Sequence, residues 1–164
     1  MGAIVDDIPG LRTILMESRS IAVVGLSGNW FRPSYFAAKY LQDWGYRIYP
    51  VNPGQDEILG EKCYSALSEI PDPVEIVDCF RGVEHAPALA RDAVAIGAKV
   101  FWLQLGLKCD EAASIAAAGG LKVVMDRCVK IEHGRLFGGL SWVGVNTGVV
   151  SAKRRPKKSA ATEA

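Results

Sequence analysis

Residues 20–53 read SIAVVGLSGNWFRPSYFAAKYLQDWGYRIYPVNP, and this stretch decides the fold. Ile21–Val24 is an unbroken apolar run, the pattern of a strand buried on both faces of a parallel sheet. Gly25 and a turn of small residues follow, then a helical pattern over 33–44, then a second apolar run at Arg47–Val51. Strand, turn, helix and strand in so short a span make a βαβ unit.

The same rhythm continues outward. Further strands are predicted at Glu75–Cys79, Lys99–Leu103 and Lys122–Met125, with helices at 84–96 and 110–118 between them. Gly45, Gly97 and Gly119 close the three helices, where a left-handed cap residue is expected. Ahead of the first strand, Ile8, Leu11, Ile14 and Leu15 lie at helical spacing, and Pro9 suits a first turn, so 8–19 reads as a leading helix. The segment 56–71 is less regular, with room for a short helix only. The expectation is an α/β protein: one domain, with a Rossmann-like, doubly wound, five-stranded parallel sheet covered by helices on both faces. In such sheets ligands gather outside the carboxyl ends of the strands. The loops after Val24, Val51, Cys79 and Leu103 are therefore predicted to form one mouth.

Composition agrees with a single packed domain over residues 1–150. The chain has 164 residues, 49% of them hydrophobic and 23% charged, enough for one proper core. Its net charge of +1 is unevenly spread. Lys153, Arg154, Arg155, Lys157 and Lys158 crowd the last residues, leaving 1–150 with 14 basic and 17 acidic side chains. A mildly acidic body offers no general attraction for nucleic acid. The segment 137–150, FGGLSWVGVNTGVV, is glycine-rich yet apolar and reads as a packed extended segment. Residues 151–164 have nothing to bury and read as a basic disordered tail.

Cys63, Cys79, Cys109 and Cys128 lie far apart with no C-x-x-C pair, so no metal site is expected and the thiols read as reduced in a cytoplasmic protein. Asp6 and Asp7 stand where a signal peptide needs its apolar core, and no apolar run approaches the length of a membrane span. Neither secretion nor membrane insertion is expected.

The turn after Val24 departs from the dinucleotide fingerprint, which needs three glycines. Gly25 stands in place, but Ser27 and Trp30 occupy the other two positions and Gly28 is out of register. A turn entering a helix still presents N–H groups to an anion, and Ser27 adds a hydroxyl. At the end of the second strand, where NAD-binding proteins place a carboxylate for the ribose, this chain has Val51-Asn52-Pro53. A phosphorylated ribose is then admissible, and Arg32 reads either as its bidentate partner or as an ordinary surface arginine. NADP and coenzyme A both carry that phosphate.

Taken together, VVGLSGNWFRPSYFAAKYLQDWGYRIYPVNP, EILGEKCYSALSEIP, VDCFR, GAKVFWLQLG and MDRCVKIEH resemble the stand-alone CoA-binding proteins, single-domain relatives of the CoA-binding domain of the succinyl-CoA synthetase alpha subunit. The resemblance spans roughly residues 10–136. It implies that Gly25, Leu26, Ser27, Gly28, Asn29 and Trp30 wrap the CoA phosphates, continued by Arg32, Pro33 and Ser34. It places Asn52 and Pro53 along the nucleotide end, Phe80 and Arg81 beside the ligand, and Leu103, Gln104, Leu105 and Gly106 on the remaining wall. Where the synthetase relatives have a lysine after the second strand, this chain has Gln55.

The resemblance implies a phosphorylated histidine in a second domain of the synthetase relatives, and no such domain is expected in these 164 residues. His85 and His133 read as solvated or locally bonded, and no catalytic constellation is apparent. Cys128, beside Arg127 and Lys130, reads as a buried inert thiol or as one able to meet the CoA sulfur. Cys79 reads as core. Trp44, Trp102 and Trp142 read as packing residues, and Trp30 as a cover for the ligand. The leading expectation is non-catalytic binding of CoA or acyl-CoA. A CoA-presenting subunit of an acyl-CoA synthetase and an NAD(P)-binding module are the alternatives. An exposed apolar face would suit a homo-oligomer.

Overall fold

The computed structural model describes residues 2–138. The expectations for 139–150, Trp142 and the basic tail lie outside the described residues. In chain order the elements are α1 (Ile8–Glu17), β1 (Ser20–Val24), α2 (Pro33–Asp43), β2 (Arg47–Val51), β3 (Glu57–Ile58), β4 (Glu61–Lys62), β5 (Ile76–Cys79), α3 (Ala86–Ala95), β6 (Val100–Leu103), α4 (Asp110–Ala118), β7 (Lys122–Val124) and α5 (Val129–Phe137). Single 3₁₀ turns occupy Leu67–Glu69 and Val83–His85.

The main sheet is parallel, in the order β2-β1-β5-β6-β7. All five predicted strands are present. The chain steps outward from β1 to β2, then returns to the other side of β1 with β5, so the order reverses between β1 and β5. That reversal opens the crevice in which doubly wound sheets hold ligands.

Both faces are covered. Ile21, Val23, Ile48, Ile76, Val100, Trp102 and Val124 meet Leu11, Ile14 and Leu15 of α1, Ala38 and Leu41 of α2, and Val129, Leu136 and Phe137 of α5. On the other face Ala22, Val24, Val77, Cys79, Phe101, Leu103 and Val123 meet the alanines of α3 and α4. Small side chains let those two helices approach closely. A Cβ on Gly119 would come within 2.4 Å of Val94 Cγ2, so that glycine is required by packing. Trp102 is wholly buried, and its indole N–H donates to Arg127 O at 2.7 Å.

Four features differ from the sequence expectation. Gly45 and Gly97 do adopt positive φ, but Gly119 has φ −80° and the left-handed residue after α4 is Gly120 at +88°. The segment 56–71 forms a two-stranded antiparallel hairpin, β3 with β4, before its 3₁₀ turn. Its two-residue connection, Leu59-Gly60, takes positive φ at both positions, the twist a tight hairpin needs. Residues 129–137 form α5, so Phe137 ends a helix and does not begin an extended segment. Residues near the amino terminus lie along the β7 edge: Ile4 pairs with Val123 in parallel, and Val5 N donates to Val123 O at 2.8 Å. Among the described residues no helix is long and apolar enough to cross a membrane.

Candidate functional site

The loop after β1 is shaped by its own side chains. Gly25 has φ +85°, and its N–H donates to Val51 O at 3.0 Å. Ser27 N donates to Ser34 Oγ at 3.1 Å, tying the loop to the first turn of α2. Asn29 N donates to Ser27 Oγ and Phe31 N to Asn29 Oδ1, successive side-chain turns that stand in for the missing glycines. The amides of Gly28 and Trp30 have no acceptor among the described residues. Arg32 caps α2 without a side-chain cap bond, and Pro33 opens the helix. The helix therefore aims its positive end at the loop.

Neighbouring loops close on this one. Asn52 Nδ2 donates to Leu26 O at 2.9 Å while Asn52 Oδ1 accepts from Gly54 N at 2.8 Å, so one side chain holds the loops after β1 and β2 together. Gln55 packs on Gly28, where a Cβ would lie 2.3 Å from Gln55 Oε1. Arg81 packs on Gly25, where a Cβ would lie 2.9 Å from Arg81 Cγ. The Gly25 and Arg81 contact sits at the strand reversal itself. Phe80 N donates to Val24 O, and Gln104 N to Cys79 O at 3.3 Å, which brings the loop after β6 to the same edge.

The predicted site residues therefore divide. Ser27, Gly28, Asn29, Arg32, Ser34, Asn52, Pro53, Phe80, Arg81 and Gly106 belong to loops or helix starts at the carboxyl edge, and Gly28, Asn29, Arg32, Pro33, Pro53 and Arg81 are exposed. Leu26 and Leu103 are wholly buried core side chains, so only their backbones face the mouth. Trp30 is 64% exposed and rests on Phe31, ring centroids 5.0 Å apart. Leu105 is 65% exposed.

Gln104 is buried and donates to Asp78 Oδ1. Asp78 was not legible as a site residue, because it stands inside an apolar strand. It has no exposed surface, and among the described residues its Oδ2 has no hydrogen-bond partner. Burial pushes its carboxyl up to about 7, with the Gln104 bond pulling the other way.

Other candidates take structural places. His133 is not solvated: it is buried, 2.9 Å from the Tyr40 hydroxyl through Nδ1 and ringed by Trp44, Tyr46 and Phe137. His85 is exposed beside Glu84. Cys79 is core, and burial pushes its thiol up to about 11. Cys128 is half-buried at the start of α5. Arg127 next to it is engaged by Asp6 and by Glu132 at 3.3 Å. Among the described residues no group of three or more His, Cys, Asp or Glu could hold a metal.

Residues 19–134 match the CoA binding domain family. The chain is 45% identical over 123 residues to the uncharacterized protein YneT of Bacillus subtilis, covering 75% of this chain and 91% of that one. It is 41% identical over 94 residues to the ADP-forming acetate–CoA ligase II of Archaeoglobus fulgidus, covering 56% of this chain and only 14% of the ligase. A solved structure of a hypothetical protein from Pyrococcus horikoshii superimposes with a TM-score of 0.77 at 38% identity, over 79% of this chain and 92% of that one. By this match and these relatives the chain belongs to the CoA-binding domain family, related to the CoA-binding part of ADP-forming acetate–CoA ligases.

Proposed function

We propose that the protein binds CoA, free or acylated, at the carboxyl edge of the sheet and carries out no chemistry on it. The observation that supports this most is the contact of Arg81 over Gly25 at the strand reversal. It sets a cation beside a loop whose Gly28 and Trp30 amides are uncommitted. A diphosphate bridging that loop would accept N–H bonds from the backbone and lie within reach of Arg81. The end of β2 supplies Asn52 and Pro53 with no carboxylate to repel a ribose phosphate, and Arg32 stands on the loop after β1, to which Asn52 is hydrogen-bonded through Leu26 O. Adenosine then lies toward β2, as in other doubly wound sheets, and the pantetheine arm runs across β5 toward β6. Calorimetric titration of CoA into the purified protein tests this. Saturable one-to-one binding that Arg81→Ala weakens is expected; absence of heat and of saturation at millimolar CoA would refute the reading.

A second reading is favoured by the ligase relationship and by Trp30, Phe31 and Leu105, exposed apolar side chains in the loops of the mouth. Here the protein presents CoA to a separately encoded catalytic subunit that covers those side chains, and the cytoplasm is the compartment where both would meet. Affinity purification at native expression decides it: a ligase-type subunit in stoichiometric yield supports the reading, and a chain recovered alone counts against it.

A further inference from the structure

Asp78 stands one residue inside the carboxyl end of β5, in register with Val23 of β1 and Trp102 of β6. An apolar side chain would suit that place. Asp78 instead buries a carboxyl with no exposed surface, whose Oδ1 accepts from Gln104 Nε2 and whose Oδ2 has no partner among the described residues. One hydrogen bond stabilises the fold less than burying an unmatched oxygen destabilises it, so stability does not explain the pair.

What the pair does is fix the Gln104 amide. With the carboxyl proton on Oδ2 or absent, Oδ1 can only accept, so it draws the –NH2 of Gln104 toward β5 and turns the amide oxygen away. Gln104 is the first residue beyond the end of β6, and its backbone N–H donates to Cys79 O. The side-chain nitrogen thus points into the sheet and the oxygen toward the mouth. Gln104 Oε1 accepts no bond among the described residues. Asp78 Oδ2 alone of the buried side-chain polar atoms there lacks a partner, so Oε1 keeps contact with solvent.

The sheet order sets β6 two strand spacings from β1, about 10 Å. An arm leaving a diphosphate at β1 passes the ends of β5 and β6 along the part of its length that carries its amides, ahead of its thiol. We propose that Asp78 is a positioning residue: through Gln104 it presents an acceptor, Oε1, to an N–H of the CoA pantetheine arm where the arm crosses from β5 to β6. This rests on the CoA reading above and adds which ligand group that wall reads. A carbonyl oxygen brought to the same spot meets another acceptor and is turned away.

The test compares dissociation constants for CoA and for adenosine 3′-phosphate 5′-diphosphate, which has the nucleotide and diphosphate but no arm. Gln104→Leu removes the acceptor, and Asp78→Leu removes the group that orients it. Each should weaken CoA about three- to tenfold, the worth of one hydrogen bond, and leave the armless nucleotide unchanged. The double variant should lose no more than Gln104→Leu alone, because Asp78 acts only through that amide. Equal losses for both ligands, or losses that multiply in the double variant, would overturn the positioning role in favour of a structural one. So would an unaltered CoA affinity in Gln104→Leu, a variant that leaves β5 untouched. In each of these cases wild-type binding of CoA still stands; failure of the wild type to bind CoA would overturn the CoA reading and the positioning role with it.

Discussion

Gln104 and Asp78 face each other across the ends of β6 and β5, both buried, with the Gln104 amide donating to one carboxyl oxygen and the other oxygen unmatched among the described residues. Desolvation is the larger influence and lifts the folded-state value to about 7 from an ordinary 3.8. Below the lower value folded and unfolded chains both hold the proton. Between the two the unfolded chain releases it and the folded chain keeps it, so stability falls as pH rises, and the penalty is complete above about 7. Asp78→Asn removes the ionisation. The difference in thermal midpoint between this variant and the wild type should therefore move in the variant's favour from pH 5 to pH 8; a difference independent of pH would show that the carboxyl is not held protonated.

Gly25 is predicted to resist substitution for two separate reasons. Its φ of +85° disfavours any L side chain, and a methyl group would press on Arg81. Gly25→Ala should cost about 1–2 kcal/mol, read as a lower urea midpoint. Gly28→Ala meets only the movable end of Gln55 at a residue without positive φ. Its stability should stay close to wild type while CoA binding falls, because the added methyl intrudes on the diphosphate loop.

Arg32 reports on the ribose phosphate. Its side chain makes no cap bond to α2 and is exposed, so removal leaves the fold intact. Arg32→Ala should weaken CoA about tenfold or more, the worth of a hydrogen bond to a charged group, and leave dephospho-CoA unchanged. Equal losses for both ligands would move the 3′-phosphate elsewhere.

The cysteines should separate in thiol labelling. Cys79 has no exposed surface and a thiol pushed up to about 11, and Cys63 is buried with its thiol also raised by burial. Both should stay unmodified in the native protein, whereas Cys109 and Cys128 are partly accessible. Rapid modification of Cys79 under native conditions would contradict its placement in the core.

The strands were legible because each is a short apolar run, and a parallel sheet buried on both faces demands that pattern. The mouth was legible because topology alone puts the loops after β1, β2, β5 and β6 at one edge. What escaped either had a local signal that tertiary structure overrode or had no local signal at all. Helix α5 buries Glu132 and His133 and so breaks the expected polar face; Arg127 and Arg135 neutralise Glu132, and the aromatic ring set receives His133. The β3–β4 hairpin turns through Leu59, a residue no turn rule would select. Asp78 looked like an interruption of an apolar strand, and only the partner on β6 shows what it contacts. The edge pairing of Ile4 with Val123 joins residues far apart in the chain and has no local signature.

The most direct measurement is thermal unfolding of the purified protein with CoA, dephospho-CoA, NAD and NADP at matched concentrations. At one hundred times its dissociation constant a ligand adds about 2.7 kcal/mol to the folded state, which raises the midpoint by roughly 5–10 °C at this size. The account predicts that rise with CoA, a smaller one with dephospho-CoA and none with NAD. A rise with NAD or NADP and none with CoA would contradict it.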